Sequence, residues 1–279
     1  MAHSHLQSKI RSVIFCLLSF VLSICLFLVT VCTVLMMTVF NQGYIYDNMN
    51  SSNYFVDKSD EIVVSLTDLG YASGLDEEFF DNLIDEVMVS QDTLEYLEIY
   101  YSLEDANADT TNFEQQLNEA ITVYAEANNI QNVDDEGRSI LIKEAAKIYE
   151  NSIEIPYFGR SFPYFKAAKQ ALPFVIGGLV LVSAVIIIVF LATNRWKHRA
   201  VRYVCYATSG AFLTVLVIPA YLLITGGIKY INLSSRALYN TVIQIVNGLS
   251  ITLLIAALFI LIVSIALFVK HHLMRKNQG

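Results

Sequence analysis

Four apolar runs interrupt this chain, at residues 12–40, 173–193, 203–225 and 249–269, and none contains Asp, Glu, Lys, Arg or His. Runs of 21 to 29 residues rise roughly 30 Å or more as helix, enough to cross a hydrocarbon core. They predict four transmembrane helices. The first run is about twice the length of a signal-peptide core, and no small-residue cleavage site follows it, so it reads as an uncleaved span.

Between the first and second spans the period becomes that of amphipathic helices. Phe79, Phe80, Leu83, Ile84, Val87, Leu94, Leu97 and Tyr101 recur at three- and four-residue steps and predict one helix after Asp76. Phe113, Leu117, Ala120, Ile121 and Tyr124 predict a second after Thr110 or Thr111, and Leu141, Ala145, Ile148 and Tyr149 a third after Asp134 or Asp135. Ile62, Val63, Leu66 and Leu69 predict a shorter helix after Ser59 or Asp60. Each start carries a residue able to accept from the free N–H groups of a first turn. The expectation is a small helical bundle on stalks that continue spans one and two. Pro156, Pro163 and Pro173 are expected to break or kink the second stalk, and Pro219 to kink span three.

Composition sharpens this picture. Of 279 residues, 55% are hydrophobic and 16% charged, where a soluble chain would be about one-quarter charged. The charges are sorted. All 26 Asp and Glu lie between Asp47 and Glu154, and residues 44–172 hold 7 Lys/Arg, a net −19; the other 11 Lys/Arg occupy acid-free sequence. Short loops rich in Lys and Arg stay cytoplasmic. Lys9 and Arg11 precede the first span, Arg195, Lys197, Arg199 and Arg202 separate the second and third, and Lys270, Arg275 and Lys276 follow the fourth. Four crossings put all three groups on one side.

The resulting fold class is all-α: a polytopic membrane protein with four transmembrane helices and a helical extracytoplasmic domain between the first and second. In order, the chain reads as a cytoplasmic N-terminus (1–11), the first span (12–40), an acidic outer domain (41–172) and the second span (173–193). A basic loop (194–202), the third span (203–225), an outer loop or amphipathic helix (226–248), the fourth span (249–269) and a cytoplasmic C-terminus (270–279) follow. Tyr44, Tyr46, Tyr157, Phe158, Phe162, Tyr164, Phe165, Trp196 and Tyr203 border the spans and are expected in the headgroup layers.

Candidate chemistry is sparse. Residues 44–172 contain no His, Cys or Trp, which leaves no material for a Ser-His-Asp triad, a cysteine nucleophile, an ordinary zinc site or a disulfide. His3, His5, His198, His271 and His272 sit at the cytoplasmic ends, and Cys16, Cys25, Cys32 and Cys205 read as small buried residues of the spans. Asp105, Asn107 and Asp109 open like a calcium loop, but Thr110 and Gln116 replace the Gly and Glu that such a loop needs. A solvated turn ending in a helix cap is the better reading. No charge lies within a span, which argues against a proton relay or pump. Cys16, Ser19, Ser23, Thr30 and Thr33 form a polar seam in span one, and span three carries small residues at Ala207, Gly210 and Ala211; both are expected to serve close packing within the four-helix bundle. Asn50 and Asn232 head glycosylation sequons, relevant only to a eukaryotic secretory route.

One further stripe stands out. Arg236, Asn240, Gln244 and Asn247 recur at helical steps on a helix expected to begin near Ser234. With Lys229, they are expected to dock beneath the −19 domain. No catalytic, cofactor-binding or metal-binding residue is expected. The function expected is that of a non-enzymatic membrane protein whose outer domain binds a ligand or another membrane or extracytoplasmic protein. The bilayer is its constant partner, nucleic acid is not one, and a bacterial plasma membrane is its expected home. A second possibility comes from layout alone: span, outer domain, three spans resembles FtsX- and MacB-type permeases, the membrane subunits of ATP-driven complexes. The loop at 194–202 is short for gripping an ATPase.

Overall fold

A computed structural model describes residues 2–104, 107–129, 134–194, 197–226 and 235–276, with the side chains of 2–10 and 72 excepted. Every regular element among the described residues is helical. The α-helices run α1 (Ala2–Met37), α2 (Gln42–Ser51), α3 (Tyr54–Gly70), α4 (Glu77–Asp81), α5 (Glu86–Tyr101), α6 (Thr111–Ala127), α7 (Asp135–Ile153), α8 (Phe158–Thr193), α9 (Lys197–Thr225) and α10 (Arg236–Lys276). Four helices are long and apolar enough to cross a membrane, making the chain a multi-pass membrane protein. The chain divides into two units: Asn41–Lys166 with Ile231–Ile245, and Met1–Phe40 with Ala167–Tyr230 and Val246–Gly279.

The first unit is a helical domain built around α3, which packs against α4, α5 and α7. Ile62 and Leu66 of α3, Phe80 of α4, Leu97 of α5, and Phe113 and Leu117 of α6 are fully buried, each removing a large apolar side chain from water. Tyr149 of α7 stacks on Phe113 with ring centroids 4.4 Å apart and planes 8° from parallel. Its hydroxyl donates to Asp92 at 2.5 Å, so the buried ring keeps a polar partner.

Helix starts follow local chemistry. Asp76 accepts from Phe79 N–H, Asp85 from Met88 N–H and Asp134 from Glu136 N–H. The Asp85 cap corrects one expectation: the periodic stretch from Phe79 to Tyr101 is two helices, because Asp85 is extended (ψ 162°) and starts a new one. The buried face of α5 shifts accordingly. Val87 is exposed, while Val89, Thr93, Tyr96 and Tyr100 turn inward. The expected start of α3 at Ser59 or Asp60 is also wrong. The helix begins at Tyr54, after Asn53 in the left-handed region, where burial of Tyr54 and Phe55 extends it by six residues.

Two further corrections concern the borders. Span one is not continued by a stalk: α1 stops at Met37, and Asn41 caps a separate helix, α2, by accepting from Tyr44 N–H. The second stalk is broken at Pro156, between the end of α7 at Ile153 and the start of α8 at Phe158, but not at Pro163 or Pro173, which lie within α8. A proline forfeits one helical hydrogen bond, but every other backbone group in an apolar span needs its intrahelical partner. Several of the border aromatics pack against the domain core. Tyr100 contacts Phe158, Phe162 and Phe165 at 4.6, 5.3 and 4.7 Å between centroids. Tyr44 and Tyr46 pack on the same core, while Tyr157 and Tyr164 are exposed.

The second unit is the membrane bundle. Ser19 of α1 donates to the Tyr203 carbonyl of α9 at 2.7 Å. A Cβ on Gly210 would lie 2.6 Å from Ser23 Oγ, so glycine is what lets α1 and α9 approach this closely. Phe15, Phe190 and Tyr203 form a ring cluster with centroids 5.4 to 5.8 Å apart, which places Tyr203 inside the bundle instead of at its border. Val34, Val215, Leu253 and Ala257 make a second core. Cys25 and Cys205 are buried and Cys32 half-buried, but Cys16 is exposed, so the polar seam of α1 does not include it. Pro219 lies within α9, which continues to Thr225.

Phe113→Ala removes the ring stacked on Tyr149 and is expected to cost about 3–5 kcal/mol, measured by denaturant unfolding of the full-length protein. Burial, partly offset by the Tyr149 hydrogen bond, raises the Asp92 carboxyl above its ordinary value. The folded protein therefore holds this proton more tightly than the unfolded chain does. Stability contributed here declines as pH climbs from the ordinary carboxylate range through the raised value. Asp92→Asn is expected to flatten that part of the pH–stability curve relative to wild type.

Candidate functional site

Helix α10 begins inside the helical domain, and its first turn supplies the best-defined polar site. The first N–H groups of any helix lack intrahelical partners and carry the positive end of the helix dipole. Here Ser235 caps the helix: its hydroxyl oxygen accepts from Leu238 N–H at 3.2 Å and its carbonyl accepts from Tyr239 N–H at 3.1 Å. Glu61 of α3 supplies the rest. Its carboxylate accepts from the Ser235 hydroxyl at 2.9 Å and from Ala237 N–H at 3.3 Å.

One helical turn earlier on α3, Asp57 accepts from Asn240 Nδ2 at 3.0 Å and lies 3.7 Å from Arg236 Nε. Asp57 and Glu61, four residues apart, share the face of α3 that meets α10. Lys58 stands 3.4 Å from Glu61 and is itself largely buried. Two hydroxyl contacts extend the junction: Ser52 with Thr241 at 2.7 Å, and Tyr44 donating to the Ile245 carbonyl at 3.2 Å. Apolar packing completes it, with Ala237 fully buried in the domain core and Leu238 and Ile245 against it.

Of the stripe read from sequence, Arg236 and Asn240 meet at Asp57, whereas Gln244 and Asn247 are exposed and Lys229 lies outside the described residues. The Arg236 side chain is 81% exposed, so its ion pair contributes under about 1 kcal/mol. The stronger contacts come from residues the stripe omitted. Ser235 was legible as a cap immediately before a helix, and Asp57 and Glu61 as acids at helical spacing. Nothing in the sequence pairs them.

The remaining sequence candidates are placed as follows. Asp105 lies outside the described residues; Asp109 is committed to Thr111, accepting from its N–H at 2.9 Å and its hydroxyl at 2.6 Å. Those two bonds hold the Asp109 carboxyl below its ordinary value. No group of three or more metal-binding side chains occurs among the described residues. Arg195 lies outside them too, and the Lys9 side chain is not described. Arg11 donates to the Thr193 carbonyl and stacks over Phe15. Lys197, Arg199 and Arg202 occupy the first two turns of α9, while Lys270, Arg275 and Lys276 end α10.

Two grooves mark the surface of the domain. An apolar one of about 450 Å³ lies between α4 and α6, floored by Phe79, Leu83 and Val123 and rimmed by Asp76 and Glu78. A polar one of about 650 Å³ lies between α6 and α7. In it, Arg138 donates to the Asn118 carbonyl and to the Thr122 hydroxyl, both at 2.5 Å.

Glu61→Ala leaves a helix terminus and a serine hydroxyl without their acceptor and is expected to cost about 1–3 kcal/mol. Arg236→Gln removes only the exposed pair and is expected to cost less. Thermal unfolding of the variants checks the order, and a larger loss for Arg236→Gln would reverse the assignment.

No protein-family model, curated protein or solved structure matches the chain.

Proposed function

We propose that this chain is a non-enzymatic protein of a bacterial plasma membrane, with both termini cytoplasmic and the acidic helical domain on the far side. The domain works by binding a protein partner, as a sensor or accessory subunit of a membrane complex. One observation carries the reading: every Asp and Glu belongs to the domain's sequence, while nine of the 18 Lys/Arg cluster in three short acid-free segments before span one, between spans two and three, and after span four. Positive charge is retained on the cytoplasmic side during insertion, and an acidic, cysteine-free, helical domain suits the outer face of a bacterial membrane.

Binding rather than catalysis is favoured by where the carboxylates go. Asp76, Asp85 and Asp134 start helices, Glu61 and Asp57 hold α10, and Asp92 holds Tyr149. These carboxylates are structural, and with no His or Cys in the domain sequence a histidine-activated serine or a cysteine nucleophile has no source. The groove between α4 and α6 suits a partner. Its apolar floor includes Val123, 65% exposed, and its Asp76 and Glu78 rim favours a basic amphipathic segment.

Placement and binding are tested together. Glu119→Cys is expected to react with a membrane-impermeant maleimide in intact cells, the native cysteines all belonging to the membrane unit. A photo-reactive residue at Val123 is expected to cross-link one protein that the same probe at Ile140 does not capture. Labelling of Glu119→Cys only after lysis overturns the placement, and indistinguishable cross-links at the two positions overturn the binding surface.

A further inference from the structure

The membrane unit contains no Asp or Glu in Met1–Phe40, Ala167–Tyr230 or Val246–Gly279. Its sequence therefore offers its cations no acidic side chain. Along α9, His198, Arg202, Cys205 and Ser209 recur at steps of four, three and four, one stripe of a helix. Along α10, Ser264, His271 and Arg275 follow at seven and four. The two stripes run antiparallel and meet. Ser209 Oγ lies 2.7 Å from Ser264 Oγ, Cys205 Sγ lies 3.8 Å from the Ser264 carbonyl, and the His198 and His271 ring centroids are 6.3 Å apart.

This seam is made of hydroxyl and thiol contacts where the helices are apolar, and it ends in a cationic cluster at the end of the fourth span. His271 faces the charges of Arg202, Arg275 and His272 as well as His198. Arg202 is held by an aromatic ring instead of an acid. Its guanidinium stacks 5.1 Å over Tyr203 and reaches the Tyr203 hydroxyl at 3.4 Å, while its Nε is buried without a hydrogen-bond partner. Tyr203 is fixed in turn by Phe15 and Phe190 at 5.4 and 5.7 Å. A guanidinium preorganised on Tyr203, beside a second arginine and two imidazoles, suits a phosphate oxygen. Phe268, Leu273 and Tyr206, each more than half exposed, offer apolar surface on the same helices.

We propose that His198, Arg202, His271 and Arg275 bind the phosphodiester headgroup of an anionic phospholipid from the surrounding bilayer, with its acyl chains against α9 and α10. Phosphate and apolar tail are then recognised together, as in basic pockets between membrane helices. Neither the outer domain nor the choice of functional partner enters this assignment.

The test uses the full-length protein in mild detergent, with native mass spectrometry and thermal unfolding against added phosphatidylglycerol, phosphatidylcholine or inorganic phosphate. Phosphatidylglycerol is expected to be retained and to raise the unfolding temperature, phosphatidylcholine to do neither, and millimolar phosphate to leave the bound lipid in place. The pair Arg202→Gln and Arg275→Gln is expected to weaken phosphatidylglycerol binding about thirtyfold, at roughly fivefold per arginine. The control pair Lys197→Gln and Arg199→Gln, off the stripe, keeps the preference. If the glutamine pair does not fold, Arg202→Lys with Arg275→Lys carries the test and is expected to lose severalfold affinity with charge unchanged. Equal retention of the two lipids, displacement by phosphate, an unchanged preference in the arginine variant that folds, or an equal loss in the control pair overturns the proposal.

Discussion

The first turn of α10 cannot satisfy its own backbone, and the domain that receives it is defined by how that need is met. Four donors of the junction, the Ser235 hydroxyl and the N–H groups of Ala237, Leu238 and Tyr239, find acceptors on Glu61 and on Ser235 itself. A carboxylate at a helix N-terminus is stabilised by the dipole as well as by the hydrogen bonds. Because Glu61 and Asp57 belong to α3, around which the domain core is built, residues 236–245 become part of a fold otherwise made from Asn41–Lys166. Sequence separation is large, more than 170 positions between Glu61 and Ala237. The apolar counterpart is Ala237, fully buried in the same core.

Much of the architecture was legible because its determinants are local. A span needs only length and the absence of charge, and helix starts at Asp76 and Asp134 need only a capping side chain before an apolar period. The errors share a different cause. Val87 continues the apolar period yet lies outside, because Asp85 resets the helix two residues before it. Phe158, Phe162 and Phe165 look only like interfacial rings in composition, and their packing around Tyr100 had no signal in the sequence. Tertiary packing overrides residue type at these positions.

The polar junction was half legible. Arg236 and Asn240 belonged to a visible stripe, and attraction to an acidic domain gave a reason for it. The stripe pointed to the weaker contacts, since charge is easy to count and a backbone N–H is not. Ser235 and Glu61, the two residues with most of the hydrogen bonds, carry no pattern that links them. The same limit applies in the membrane unit, where the pairing of the α9 and α10 stripes depends on an antiparallel register that composition does not encode.

Hydrogen–deuterium exchange at the amides of Ala237, Leu238 and Tyr239 is the most direct measure of this junction. The account predicts slow exchange there in the wild-type protein and faster exchange in Glu61→Ala, most of all at Ala237, whose N–H the carboxylate accepts, with the core amides of α6 protected in both. Rapid exchange in wild type, or equal protection with and without the Glu61 carboxylate, would contradict it.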